Sequence, residues 1–323
     1  MSEVPQVELR QLRTHFTLSR NRVVKAVDGV DLAIARGETF GLVGESGCGK
    51  STLGRTIKGI YPPTSGEVLF DGKDTAHLSR DERRSLALKL QMIFQDPYSS
   101  LNPRMTVGEI IGEGLDIHHL GSRPERDEKI REIMSLVGLN HEYRNRFPHE
   151  FSGGQRQRIA IARALIVSPE MIVCDEPISA LDVSIQGQIV NLLKDLQDRI
   201  GLTYLFVAHN LSMVKYISDR VGVMYLGRLV EVASKDELFS NPLHPYTQAL
   251  LSSVPIPDPK LEAARVEQTP EGELPSPIGT IEGCAFRSRC PFVHEACRTM
   301  RPVLTEAVAG HTVMCTLHGT PSA

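Results

Sequence analysis

An α/β fold is predicted, with a mostly parallel sheet, a helical insertion and a small Pro- and Cys-rich C-terminal extension. Three observations carry this. Short, largely apolar runs such as Thr39 to Val43 (TFGLV), Met171 to Cys174 (MIVC) and Thr203 to Val207 (TYLFV) suit parallel strands covered on both faces. Segments with apolar residues at helical spacing lie between them. Composition then shifts near Asn241, after which 11 of the 20 prolines fall.

Taken in order, residues 1–95 alternate short β-rich runs with Gly and Pro punctuation. TFGLV in this stretch runs directly into Gly-rich sequence. Residues 96–165 read as mostly helical; Glu125 to Leu136 (ERDEKIREIMSL) sets apolar residues at helical spacing on a charged background. Residues 166–240 return to strand–helix alternation, with Ile185 to Ile200 patterned as an amphipathic helix. The expected division is therefore a core of 1–95 and 166–240, an inserted helical subdomain of 96–165, and an extension of 241–323. Within the extension, 255–279 (PIPDPKLEAARVEQTPEGELPSPIG) reads as an extended strap.

Composition narrows the function. At 323 residues the chain has room for about two domains. A net charge of −3 lacks the basic excess of a phosphate-backbone surface, so nucleic acid is not an expected partner. Hydrophobic residues at 41% and charged ones at 23% are those of a soluble globular protein. The longest unbroken apolar run, Tyr204 to Ala208, is five residues, against about 20 for a membrane span. MSEVPQVELR has no charged-then-apolar signal pattern, so the expected location is the cytoplasm, where structural disulfides are rare.

Chemistry concentrates first at Gly44 to Thr52, GESGCGKST, a G-x-x-x-x-G-K-S motif between a strand and a probable helix. In Gly44, Glu45, Ser46, Gly47, Cys48, Gly49, Lys50, Ser51 and Thr52, the glycines let backbone amides close on phosphate oxygens. Lys50 would reach the β- and γ-phosphates and Ser51 would ligate Mg²⁺. The helix N-terminus adds partial positive charge. The second concentration is MIVCDE, an apolar strand ending in two acids. Asp175 is placed to hold Mg²⁺ through water, and Glu176 to orient or deprotonate an attacking water. Together they indicate a P-loop NTPase using ATP and Mg²⁺.

Phe151 to Gln155 reads FSGGQ and is followed by RQRIAIARAL. This resembles the signature of ATP-binding cassette (ABC) ATPases. Further motifs stand in that family's order: Gln95 in MIFQDP as the Q-loop glutamine, Ser179 to Asp182 (SALD) as the D-loop, and His209 in VAHNLS as the switch histidine. The resemblance implies that Glu176, His209 and Gln95 serve catalysis, that Gln95 joins Ser51 and Asp175 at Mg²⁺, and that Ser152, Gly153, Gly154, Gln155 and Asp182 serve nucleotide binding. Ser152 and Gly154 would face ATP held on a partner subunit. Phe16 in RTHF matches the family's early aromatic and would stack on adenine. Phe151 replaces the usual Leu and Asn210 the usual Asp; neither change removes a phosphate-contacting group.

QDPYSSLNPRMTVGEII, MYLGRLVE, NPLHPYTQALLSSVP and the tail GELPSPIG…GCAFRSRCP narrow the likeness to the dipeptide/oligopeptide importer ATPases, and among them to the F-type subunit of the dipeptide permease. The implied activity is ATP hydrolysis driving peptide uptake; relatives with this tail also import nickel or sugars. A soluble ABC ATPase outside transport is the more distant alternative. Implied partners are a second ATPase, of the D-type, in a heterodimer, two transmembrane permease subunits and, indirectly, a substrate-binding protein. The implied place is the cytoplasmic side of the cell membrane. A homodimer is also chemically possible, because this chain carries both halves of an ATP site.

Four of the six cysteines lie in the last 40 residues: Cys284, Cys290, Cys297 and Cys315. Four thiols in a reducing compartment suggest a metal centre, with iron–sulfur, zinc, free thiols and disulfide all open from ligand type alone. The spacing is neither the C-x2-C pairing common at zinc nor the tight ferredoxin run. The family resemblance points to a [4Fe–4S] cluster with a structural role. Cys48 and Cys174 read as small packing residues.

Overall fold

The computed structural model describes residues 4–19, 22–253, 278–279 and 281–318. They form two compact units, one from Met1–Ala35, Thr39–Ala76 and His209–Ala323, the other from Arg36–Glu38 and His77–Ala208.

The first unit opens with β1 (Val7–Ser19) and β2 (Arg22–Ile34), paired antiparallel. Next come the fully buried β3 (Thr39–Val43), helix α1 (Lys50–Ile57), β4 (Ser65–Phe70) and β5 (Lys73–Asp74). Strands β2-β1-β4-β5 make an antiparallel sheet of their own, where the sequence shows only short β-rich runs. The reason is visible in β1. Val7 and Leu9 are buried, then Leu12 and Thr14, so the buried parity changes from odd to even. A register shift between Leu9 and Leu12 causes this, with Gln11 at φ 44 and its N–H bonded to Asp31 Oδ1 at 2.7 Å. A bulge of this kind breaks the simple alternation that marks a strand.

The rest of the unit is α7 (Leu211–Ile217), β9 (Arg220–Tyr225), β10 (Arg228–Ser234), α8 (Lys235–Ser240) and α9 (Pro245–Ser252), followed by α10 (Glu295–Thr299), β11 (Thr305–Val308) and β12 (His311–Val313). β3 runs parallel to β9, and the order β9-β10-β12-β11 continues as an antiparallel ribbon. The C-terminal extension thus adds its own strands to the sheet. Most of the anticipated 255–279 strap lies outside the described residues; Ile278 forms a bridge with Val24.

Polar contacts fasten the extension. Glu231 on β10 is fully buried and is met by His311 Nε2 at 2.7 Å and by the N–H groups of Leu243 and His244 at 2.7 and 2.9 Å. Arg301 joins Arg228 on the Asp28 carboxylate, at 2.7 and 2.9 Å. Phe286 packs among Tyr225, His244 and Tyr246, whose ring centroids lie 5.4–5.7 Å from its own. Burial holds His244 neutral, its pKa brought down to about 3, with His318 adding to the effect.

The second unit contains α2 (Arg80–Lys89), β6 (Leu90–Ile93), α3 (Val107–His118), α4 (Arg123–Leu136), α5 (Gly153–Leu165), β7 (Met171–Asp175), α6 (Val183–Ile200) and β8 (Thr203–Val207). β6, β7 and β8 pair in parallel, and every residue of β7 and β8 is buried. Helix starts follow local chemistry: Ser79, Thr106 and Ser152 each close a capping box with a Glu or Gln three residues on. The helix anticipated from Glu125 begins at Arg123, after Ser122 and with Pro124 in its first turn. Helix α6 ends where Gly201 takes φ 68.

Candidate functional site

In the first unit the chain leaves β3 at Val43, turns through Gly44–Gly49 and enters α1 at Lys50. Gly49 has φ 109, and a Cβ there would stand 1.9 Å from the Ala26 carbonyl oxygen, so only glycine fits. Lys50 is 4% exposed. Its ammonium donates to the carbonyls of Gly44 and Glu45 at 2.8 and 3.0 Å. Ser46 and Gly47 at the tip are exposed, while Ser51 and Thr52 are half-buried in the first turn of α1. Cys48 is buried, and burial pushes its thiol up, out of the reactive range. Its carbonyl accepts from Gly227 N–H at 2.8 Å.

Glu45 is the loop residue with the most distant ties. Its N–H donates to the Tyr246 hydroxyl at 2.8 Å, and its carboxylate takes two hydrogen bonds from Arg289, both 3.0 Å. No sequence motif marked Tyr246 or Arg289 as belonging with this loop; they lie 201 and 244 residues away in the chain.

His209 is exposed beside Asn210, which caps α7 by accepting from Met213 N–H at 3.2 Å. Asn thus does there what the family's Asp would do as a helix cap. Phe16 is half-buried, edge-on to Tyr61 at 5.3 Å between ring centroids.

In the second unit Asp175 closes β7 and is fully buried. Glu176 follows at φ 48, a conformation uncommon for a residue with a side chain, and its N–H donates to Val207 O at 2.9 Å. Gln95 Nε2 donates to Glu176 Oε2 at 2.8 Å across 81 residues. Ser152 caps α5: Gln155 N–H donates to its hydroxyl at 3.4 Å, and its own N–H donates to Gln155 Oε1 at 3.0 Å. Gly153 and Gly154 open that helix. A Cβ at Gly154 would stand 2.6 Å from Ile185 of α6, so helix packing as well as backbone exposure demands glycine. Asp182 is exposed at the start of α6.

All six cysteines are free thiols. Cys174 is buried on β7, as a packing residue would be. In the extension Cys297 is buried and Cys284, Cys290 and Cys315 are half-buried. Cys284 N–H donates to Cys297 O at 2.8 Å. Burial raises the Cys315 thiol to about 11, and the other three tail thiols push it the same way. The four therefore gather within electrostatic reach. Among the described residues, however, no group of three or more His, Cys, Asp or Glu side chains is placed to hold a metal ion.

A family model for ABC transporters matches residues 27–179, and one for the oligopeptide/dipeptide transporter C-terminal region matches 230–297. The putative oligopeptide transport ATP-binding protein YkfD of Bacillus subtilis is 56% identical over 319 residues, 98% of this chain and 97% of the relative. This chain belongs to the ABC transporter family. Another relative of this ABC ATPase, the oligopeptide transport ATP-binding protein AppF of the same organism, is 51% identical over 97% of both chains. Among solved structures, a dimeric post-hydrolysis state of the ATP-binding cassette MJ0796, bound to ADP and Pi, is similar at TM-score 0.65 and 31% identity, over 71% of this chain and 98% of that one. The cassette cbiO1 of Clostridium perfringens is similar at TM-score 0.66 and 28% identity, over 74% and 92%. The fold is that of an ABC ATPase, and ATP with Mg²⁺ is what such an ATPase uses. No helix among the described residues is long and apolar enough to cross a membrane.

Proposed function

We propose that this ABC ATPase powers the import of dipeptides and oligopeptides through a membrane permease, acting from the cytoplasmic face as a peripheral subunit. The observation that carries this is near-full-length similarity to peptide-transport ATP-binding proteins, extension included. Core 1–95 and 166–240 binds nucleotide, 96–165 presents the signature, and 241–323 is the group-specific extension. Its partners are a second ATPase subunit, a D-type paralogue in a heterodimer, together with two permease subunits and a substrate-binding protein that delivers the peptide.

The roles follow from the chemistry of each side chain. Gly44 to Thr52 cradle the phosphates and Lys50 neutralises them; Ser51, Gln95 and Asp175 would hold Mg²⁺, which would supply further positive charge against the phosphates. Phe16 offers a face to adenine. Glu176 orients a water and takes its proton as the oxygen bonds to the γ-phosphorus. The bond to the β,γ-bridging oxygen breaks, leaving ADP and phosphate. Gln95, hydrogen-bonded to Glu176 at 2.8 Å, holds the carboxylate at a defined angle. His209 contacts the γ-phosphate. Ser152, Gly153, Gly154, Gln155 and Asp182 act on the nucleotide of the partner subunit, so two ATP molecules join the pair. Catalysis is then mostly positioning and electrostatics.

Reconstituting the full assembly in proteoliposomes tests the solute. ATP turnover is expected to rise when binding protein loaded with dipeptide or longer peptide is supplied. A rise with nickel or sugar instead would overturn the peptide assignment.

For Cys284, Cys290, Cys297 and Cys315 we propose a [4Fe–4S] cluster with a structural role. The residues suit a cluster by type and number, four free thiols in one segment, and the arrangement among the described residues places no three of them to hold a metal ion. Anaerobically purified protein is expected to carry iron and acid-labile sulfide in equal amounts, lost in Cys284→Ser. Stoichiometric zinc, or no metal, would contradict it.

A further inference from the structure

We propose that Arg289 and Tyr246 are positioning residues for ATP binding, through which the C-terminal extension holds the phosphate loop at Glu45. The proposal rests on the assignment of that loop to ATP.

Glu45 is the second residue of the loop, and both its backbone and its side chain are taken. Tyr246 Oη accepts its N–H, and the Arg289 fork grips its carboxylate with two parallel hydrogen bonds. Paired charge-assisted bonds of this kind fix direction as well as distance. The Arg289 side chain is 9% exposed and that of Glu45 27%, so solvent screens the pair far less than a surface bridge.

Neither partner is free to drift. Tyr246 is fully buried, its ring 4.6 Å from that of Tyr225 and 5.5 Å from that of Phe286. Burial keeps its phenol protonated well beyond the usual range. Arg289 follows Phe286 by three residues, and the Phe286 side chain is locked in the same aromatic cluster. A rigid cluster built from β9, α9 and the extension thus ends in two polar groups aimed at one loop residue.

The consequence falls on Lys50. Its ammonium rests on the carbonyls of Gly44 and Glu45, the residues whose place this clamp sets. A loop free to move at Glu45 would present Lys50 and the following amides in many arrangements, and ATP would have to select one of them. Binding then weakens by the fraction of time the competent arrangement is lost. Once ATP is bound, the loop is ordered by its ligand, so turnover at saturation changes little.

Four single variants of the full-length chain, Arg289→Ala, Arg289→Lys, Glu45→Gln and Tyr246→Phe, and one double variant test this. The readouts are binding of a fluorescent ATP analogue and KM against kcat for ATP. Arg289→Ala is expected to raise Kd and KM about tenfold with kcat within about twofold of the parent, and Arg289→Lys to recover part of the loss because it restores charge without the fork. Tyr246→Phe removes one oxygen and is expected to raise Kd about threefold. The double variant Glu45→Gln with Arg289→Ala is expected to lose no more than the worse single one, since the pair acts as a unit. Unchanged Kd in a folded Arg289→Ala, additive losses in the double variant, or a loss confined to kcat would overturn the proposal. If Arg289→Ala does not fold, Arg289→Lys and Tyr246→Phe decide on the same criteria. Failure of the parent itself to bind the analogue would count against the ATP assignment, not against the clamp alone.

Discussion

Glu176→Gln is expected to lower ATP turnover by about a hundred- to ten-thousandfold, the usual worth of a placed general base, while ATP affinity stays close to the parent's. The change is nearly isosteric, so it tests protonation rather than packing. Glutamine keeps an oxygen able to accept from Gln95 Nε2, now 2.8 Å from the carboxylate, so the local hydrogen bond survives. The backbone at φ 48 stays held by the Val207 carbonyl. What is lost is the group that accepts the water's proton. The variant is therefore expected to accumulate as an ATP-bound dimer, read by size-exclusion chromatography with ATP present. Turnover at the parent's rate would remove Glu176 from the role of base.

Lys50→Ala is expected to weaken ATP binding by about a hundredfold or more. An ammonium hydrogen-bonded to phosphate is worth about 1.5–3 kcal/mol per bond, and about 1.4 kcal/mol is a factor of ten in affinity. Lys50 is buried on two carbonyls, those of Gly44 and Glu45. Alanine would remove the ammonium from both carbonyls and leave that of Glu45 with the Cys48 N–H at 3.3 Å, so a loss of thermal stability should accompany the loss of binding. Addition of ATP is expected to raise the melting temperature of the parent and leave that of the variant unmoved. Equal affinity in both proteins would contradict the assignment of the loop.

The two effects separate along the reaction. On the proposed roles, Lys50 governs whether nucleotide is held, Glu176 whether it is split, and Arg289 how well the loop is prepared for it. Measuring Kd and kcat in the three variants distinguishes them without further assumptions.

Several features were legible in the letters because they are local. TFGLV and TYLFV match β3 and β8 residue for residue, since a strand buried on both faces shows as a continuous apolar run. MIVC became β7 with Asp175 added at its end. The Gly44–Gly49 turn and the acidic end of β7 are contiguous motifs, so each folds as one local element. Strand β1 was harder. Its bulge at Gln11 moves the buried residues from Val7 and Leu9 to Leu12 and Thr14, and Arg10, Arg13 and His15 between them resemble a charged loop. The antiparallel ribbon of β9, β10, β12 and β11 depends on a pairing between chain segments about 80 residues apart, for which periodicity carries no signal.

The site divides in the same way. Gln95 and Glu176, each assigned to catalysis by the resemblance, meet across 81 residues, a contact that the motifs by themselves did not state. Arg289 on Glu45 had no such guide: one stands in a tail motif and the other in the Gly44–Thr52 loop, 244 residues apart, and nothing in either stretch marks them as a pair. The tail cysteines fall between. Their number and compartment raised metal binding, while their arrangement depends on turns that spacing does not determine.

The central claim is that hydrolysis at this chain's Glu176 drives peptide uptake. Its most direct test is transport of a labelled dipeptide and a labelled longer peptide into cells lacking this gene, complemented with the parent chain or with Glu176→Gln at equal expression. Uptake is expected to be lost on deletion, restored by the parent and not restored by Glu176→Gln. Restoration by Glu176→Gln, or peptide uptake that persists in the deletion strain while nickel or sugar uptake fails, would contradict the account.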